Sequence, residues 1–150
     1  PAADGTEVSL ADYRGRPLLL FFYLGHGCIH CLEQLNALAP AAPDFAAAGI
    51  AMLAISADSA EALGRTQAKA RVAGGFPFPL VADADRSVFR AYRAYDGFEN
   101  EPLHGVFLLD GEGHIRWQDV GYKPFTDVPF LLQEARRQLR QRDDQRRLAR

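Results

Sequence analysis

Six consecutive apolar residues, Leu18–Tyr23, run into Gly25-His26-Gly27, and beyond them the apolar positions change period. Leu32, Leu35 and Leu38 recur at intervals of three, the spacing of a helix with one buried face. The run before the glycines is short and rich in Leu and Phe, which predicts a buried strand. A second apolar run, 50–56, follows Gly49 and predicts another. Asp58-Ser59 with Glu61 signals a helix start, and that helix is expected to reach about residues 71–73, before Gly74-Gly75. Residues 77–81 predict a short extended piece, and 83–92 a turn and short helix.

The flanks complete the pattern. Asp4-Gly5 signals a turn, residues 6–10 alternate like a hairpin arm, and residues 10–15 read as a loop or single helical turn. Pro40 and Pro43 interrupt the helix that starts near residue 28, leaving a second helical fragment at 45–48. Residues 103–109 and 115–120 flank Asp110-Gly111-Glu112-Gly113, a hairpin signal, and a last helix begins after Pro124 or Asp127. Strands alternating with helices, then a hairpin and a helix, predict an α/β fold with a central mixed sheet flanked by helices.

Composition narrows the function. A chain of 150 residues, 48% hydrophobic and 24% charged, is expected to be one domain, 1–150, with an ordinary core. A net charge of −2 points to no nucleic-acid or anionic-membrane partner, and no apolar stretch is long enough to span a bilayer. Two cysteines are too few for a disulfide scaffold and are compatible with cytoplasm and periplasm alike. Beginning at Pro1, the chain reads as trimmed from a longer one, with a neighbouring domain after residue 150 a candidate partner.

Both cysteines, Cys28 and Cys31, fall at the strand-to-helix junction. A helix's first turn carries unpaired N–H groups and the positive end of the macrodipole, so a thiolate there is stabilised and its pKa falls from about 8.5. Residues three apart share a helix face, so the two sulfurs can meet. Cys31 heads the row with Leu35 and Leu38 and is expected to be the more buried; Cys28, beside the glycines, the more exposed. A C-x-x-C beside a βαβ pattern is the combination of a thioredoxin-like redox fold.

His26 and His30 bracket Cys28, where an imidazolium lowers a thiolate pKa or a neutral ring relays a proton. The bland alternative is an exposed histidine. His26, Cys28, His30 and Cys31 lie too close along one backbone for a tetrahedral zinc site, so neither a metal nor another cofactor is expected. Asp58, Asp83, Asp85 and Asp110 read as turn and cap residues, and Glu33 and Gln34 as solvated helix face. Residues 136–150 carry seven arginines against two acids and read as a frayed, solvated helix, with docking to an acidic partner as the alternative.

SLADYRGRPLLLFFYLGHGCIHCLEQL, then ISAD, LVADADRSVFRAY and HGVFLLDGEGHI, in that order, resemble the redoxin branch of the thioredoxin superfamily, the alkyl hydroperoxide reductase/thiol-specific antioxidant proteins. The resemblance runs from about residue 5 to 121. It implies a thioredoxin-like fold with an N-terminal β-hairpin and a peroxiredoxin-type insertion. In peroxiredoxins a threonine or serine three residues before the peroxide-reacting cysteine, a proline seven before it and a later arginine shape the pocket. With Cys31 in that place, Cys28 stands for the threonine, Leu24 for the proline and His104 for the arginine. In the thioredoxin register, Cys28 attacks and Cys31 resolves; the proline usually opposite the disulfide would lie near His104, and the nearest is Pro102. The chain thus resembles the peroxiredoxin-like subgroup with a C-x-x-C active site.

The expected function is thiol–disulfide oxidoreduction through Cys28 and Cys31, aided by His30 and His104. Its partners would be a protein disulfide and a thiol reductant, thioredoxin-like or a small thiol. The alternatives are hydroperoxide reduction through a sulfenic acid, and a redox-silent binding or sensor module.

Overall fold

In the computed structural model, which describes residues 1–2 and 5–150, the apolar run becomes β1 (Leu18–Tyr23), followed by α1 (Ile29–Leu38) and α2 (Ala42–Ala47). The second run forms β2 (Ala51–Ser56), then α3 (Ala60–Gln67), β3 (Leu80–Ala82) and α4 (Ser87–Ala91). A two-stranded pair, β4 (Tyr95–Asp96) and β5 (Glu101–Pro102), precedes β6 (His104–Leu109), β7 (Ile115–Gly121) and α5 (Val128–Leu148).

The five-stranded sheet has the order β3-β2-β1-β6-β7. Its first three strands run parallel, with Leu18 opposite Ala51 and Ala54 opposite Leu80, while β6 runs antiparallel to β1 and to β7. Every residue of β1 is buried because the strand is central and covered on both faces. Side chains alternate across a strand, and so β1 feeds two cores. Leu19, Phe21 and Tyr23 pack with Leu35 and Leu38 of α1, Leu63 of α3 and Leu131 of α5. Leu18, Leu20 and Phe22 pack on the other face with Phe89 of α4, Phe107 and Leu109. Burying each such side chain stabilises the fold by about 1.5–3 kcal/mol. This is the mixed, helix-flanked sheet that the order of strands and helices predicted.

Four expectations change. Among the described residues, no strand forms over 6–10, where a hairpin arm was expected; the Asp4 half of the expected turn lies outside the described residues, and Ala2 N–H donates to the Thr6 carbonyl. Ala2 bridges Val81 at the sheet edge instead, and Ser9 caps a 3-10 turn, Leu10–Tyr13. Helix α3 stops at Gln67, not near residue 71, because Asn36 of α1 captures the following segment: its Oδ1 accepts from Arg71 N–H and its Nδ2 donates to the Lys69 carbonyl. Gln34 is buried, its Nε2 donating to the Phe125 carbonyl at 2.9 Å, because the connection into α5 covers that side of α1.

The arginine-rich tail is helical to Leu148 and is anchored, not merely solvated. Asp110, buried at the hairpin turn, accepts from Glu112 and His114 N–H and from Arg116 Nε at 2.6 Å. Arg142, with its side chain 12% exposed, reaches Asp110 at 3.6 Å and Glu112 at 3.1 Å, and Arg146 also pairs with Glu112. The acidic partner of this basic helix is the chain's own hairpin.

Burial alone would raise the Asp110 pKa, but the His114 N–H and the two arginines bring it below the usual 3.8. A depressed carboxylate stabilises the fold fully above its unfolded value and loses that contribution as pH falls through the folded value. Asp110→Asn is expected to cost about 2 kcal/mol in urea unfolding at pH 7. The difference from wild type should close once the pH drops below the ordinary carboxylate range.

Candidate active site

Cys28 occupies the N-cap position of α1, in extended backbone, and its Sγ accepts from Cys31 N–H at 3.3 Å. A serine or threonine oxygen normally fills this place. Cys28 and Cys31 are joined as a disulfide, with Cα atoms 5.3 Å apart. Cys31 is wholly buried and Cys28 half-buried, the order expected from the helix row. The Cys31 Sγ also faces Leu24 N–H at 3.4 Å.

The third group comes from across the sheet. His104 opens β6, where the antiparallel register with β1 carries it to the start of α1, and it is buried. Its Nε2 lies 2.9 Å from Cys31 Sγ and 3.7 Å from Cys28 Sγ. Its Nδ1 lies 3.0 Å from the Tyr122 carbonyl at the end of β7. A carbonyl only accepts, so Nδ1 carries the hydrogen, and the neutral ring turns a bare Nε2 lone pair toward the sulfurs. Burial lowers the His104 pKa below 6.5; the Tyr122 carbonyl opposes this and the charge of His30 adds to it. Near pH 7 His104 is therefore neutral.

The structure gathers Cys28, Cys31 and His104, while His30 stands apart. Its side chain is 78% exposed, with Nδ1 3.5 Å from Glu33 on the outer face of α1, and His104 senses it as a charge. His26 is turned to Asp58, whose Oδ2 accepts from His26 N–H at 2.7 Å and lies 3.0 Å from its Nδ1. Lys69 Nζ donates to the His26 carbonyl, tying down the loop from the other side. Asp58 therefore anchors the active-site loop, a role that a turn-and-cap reading missed. Ser59 beside it is the residue that caps α3. Pro102, pairing with Tyr95 in the short β4–β5 ladder, leaves His104 as the group facing the sulfurs. Burial, against the hydroxyls of Ser56 and Thr66, pushes the Tyr23 phenol up to about 12, so it stays protonated at neutral pH.

A profile of the AhpC/TSA family matches residues 1–118. The chain belongs to the AhpC/TSA family. Among its curated relatives, a Mycobacterium tuberculosis protein described as a peroxiredoxin is 38% identical over 121 residues, covering 77% of this chain and 74% of that one. Peroxiredoxin 2 of Thermoplasma acidophilum is 32% identical over 112 residues, covering 73% of this chain and 56% of its own. Of solved structures, Xanthomonas campestris peroxiredoxin Q superposes with a TM-score of 0.77 at 23% identity, covering 89% of this chain and 86% of that one. Reduced 2-Cys peroxiredoxin of Plasmodium vivax gives 0.80 at 22%, covering 94% and 90%. Both share the thioredoxin-like fold described above.

This AhpC/TSA protein is a thiol-dependent oxidoreductase of peroxiredoxin type. The family in general works on hydroperoxides and is recharged by thioredoxin-like reductants. Among the described residues, no helix is long and apolar enough to cross a membrane.

Gly25 has φ +147, and a Cβ there would stand 2.5 Å from Asp58 Oδ1. Gly25→Ala is expected to displace Asp58 from His26 and to lower stability by about 1–3 kcal/mol in thermal unfolding. Disulfide reactivity should change with it, whereas alanine at Gly27, which has open space around it, should be neutral on both measures.

Proposed function

We propose that the protein exchanges thiols and disulfides, with Cys28 as the entering nucleophile, Cys31 as the resolving thiol and His104 as the base that activates Cys31. The observation that carries this is the contrast between the two sulfurs: Cys28 Sγ is half-exposed at a helix amide, and Cys31 Sγ is sealed against the bare Nε2 of His104. The helix amide stabilises negative charge on Cys28, so its thiolate forms at neutral pH. That thiolate attacks one sulfur of a substrate disulfide, forming a mixed disulfide and expelling the other sulfur as a thiolate. His104 then takes the Cys31 proton, and Cys31 attacks Cys28 Sγ. The Cys28–Cys31 disulfide forms, the second substrate thiolate leaves, and the substrate has gained two electrons. A thioredoxin-like or small dithiol returns two electrons and two protons to reset the protein.

Hydroperoxide reduction is the second reading, favoured by the family match. There, in the family's register, Cys31 thiolate takes the terminal peroxide oxygen to become a sulfenic acid, the rest of the peroxide leaving as alcohol or water, and Cys28 condenses with it, releasing a further water. Against it stands the polar make-up of the site. The positions of the family's threonine, proline and arginine hold Cys28, Leu24 and His104, and neutral His104 presents a lone pair, not a donor, toward the sulfurs.

Reduced wild type, Cys28→Ser and Cys31→Ser are to be compared in an insulin-type disulfide reduction assay and in stopped flow with peroxide. Wild type is expected to reduce disulfides, Cys28→Ser to be inert, and Cys31→Ser to accumulate a mixed disulfide visible by mass. The resolution rate should hold to below pH 6.5 and fall only as His104 protonates at its depressed pKa. Fast peroxide consumption with no disulfide reduction would exchange the two readings, and a mixed disulfide trapped on Cys31 in Cys28→Ser would reverse the roles.

A further inference from the structure

The atoms that make up the redox site also form a set of metal donors. Cys28 Sγ, Cys31 Sγ and His104 Nε2 all lie within 4.8 Å of one another. With zinc–sulfur bonds of about 2.3 Å and zinc–nitrogen bonds of about 2.0–2.1 Å, donors around a tetrahedral ion stand roughly 3.3–3.8 Å apart. His104 Nε2 is already 2.9 and 3.7 Å from the two sulfurs, and cleaving the S–S bond lets the sulfurs separate toward that spacing. Cys28 and Cys31 have the C-x-x-C spacing common in zinc sites. The crowding expected among His26, Cys28, His30 and Cys31 does not arise, because the imidazole comes from a strand 73 residues away.

Two further features suit a metal. A ligating histidine usually donates its other N–H to a carbonyl or carboxylate, which fixes the tautomer. His104 does so through the Tyr122 carbonyl. Two thiolates and a neutral imidazole also balance the charge of a divalent cation. The other donor cluster among the described residues, Asp110, Glu112 and His114, offers no comparable vacancy, because Arg116, Arg142 and Arg146 already supply its positive charge.

We propose that the dithiol form binds one Zn²⁺ through Cys28, Cys31 and His104, with a water in the fourth position on the half-exposed Cys28 side. A dithiol reductant first gives two electrons and two protons to the Cys28–Cys31 bond, becoming a disulfide itself. Zinc then takes the Cys28 thiolate, displaces the remaining Cys31 thiol proton to solvent and stays divalent throughout. While bound it occupies both sulfur lone pairs needed for exchange, and oxidation of the pair expels it. Zinc and substrate disulfide therefore compete for one reduced site.

The full chain, reduced and freed of reductant under anaerobic conditions, is to be titrated with Zn²⁺ against a chromophoric chelator, beside the oxidised chain. Expected are one tight equivalent per reduced chain, proton release on binding, and none tight when oxidised. Co²⁺ in place of zinc should give a sulfur-to-metal charge-transfer band and tetrahedral visible absorption. His104→Ala should weaken zinc at least about 10-fold, and His114→Ala, in the arginine-filled cluster, should leave it unchanged. Equal binding by reduced and oxidised wild type would overturn the proposal without relying on any variant's folding. So would unaltered affinity in His104→Ala. Disulfide-exchange assays run with chelator present are untouched by either result, so failure of the zinc site and failure of the redox reading remain distinct.

Discussion

A helix that begins on cysteine presents its first free amides to a sulfur, and the active site grows from that substitution. The N–H of Cys31 points at Cys28 Sγ because Cys28 has the extended backbone of an N-cap. An oxygen there would only satisfy a donor. A sulfur does so and also becomes more acidic, because the thiolate accepts that hydrogen bond better than the thiol. The surrounding fold holds this cap in place. Strand β1 is buried on both faces and delivers the chain to Gly25 without slack, and Asp58 and Lys69 pin the loop that leads to the cap.

The second sulfur has different surroundings and so a different chemistry. Cys31 faces inward with Leu35 and Leu38, where a lone thiolate would be costly. His104 answers that cost with an imidazole whose tautomer is set by the Tyr122 carbonyl. A buried arginine in the same place would be a permanent positive charge, suited to holding an anion or polarising a peroxide. A neutral histidine is suited to moving a proton. In the thiol–disulfide exchange we propose, that proton is the one Cys31 gives up before it attacks.

Much of this was legible in the chain because the signals were local. The apolar run of β1, the three-residue row of α1 and the Asp110–Gly113 turn each announce themselves within a dozen residues. The order of burial of the two cysteines followed from Cys31 lying in the Leu35–Leu38 row. What could not be read was carried by long-range contacts. Gln34 is buried because the connection into α5 lies over it, and Asn36 ends α3 from another helix. Arg142 finds Asp110 across the fold, so a stretch of like charge became an anchor instead of a frayed end. Asp58 looked like one more turn acid, and a backbone carbonyl such as that of Tyr122 carries no residue signature at all.

The central claim is that Cys28 owes its reactivity to the opening of α1, and the pH dependence of alkylation of the reduced protein tests it most directly. Iodoacetamide, with peptide mapping of each adduct, should label Cys28 first, with a midpoint well below the ordinary thiol value of about 8.5. Cys31 should resist labelling at the same pH. A Cys28 midpoint at or above about 8.5, or labelling that begins on Cys31, would contradict the account.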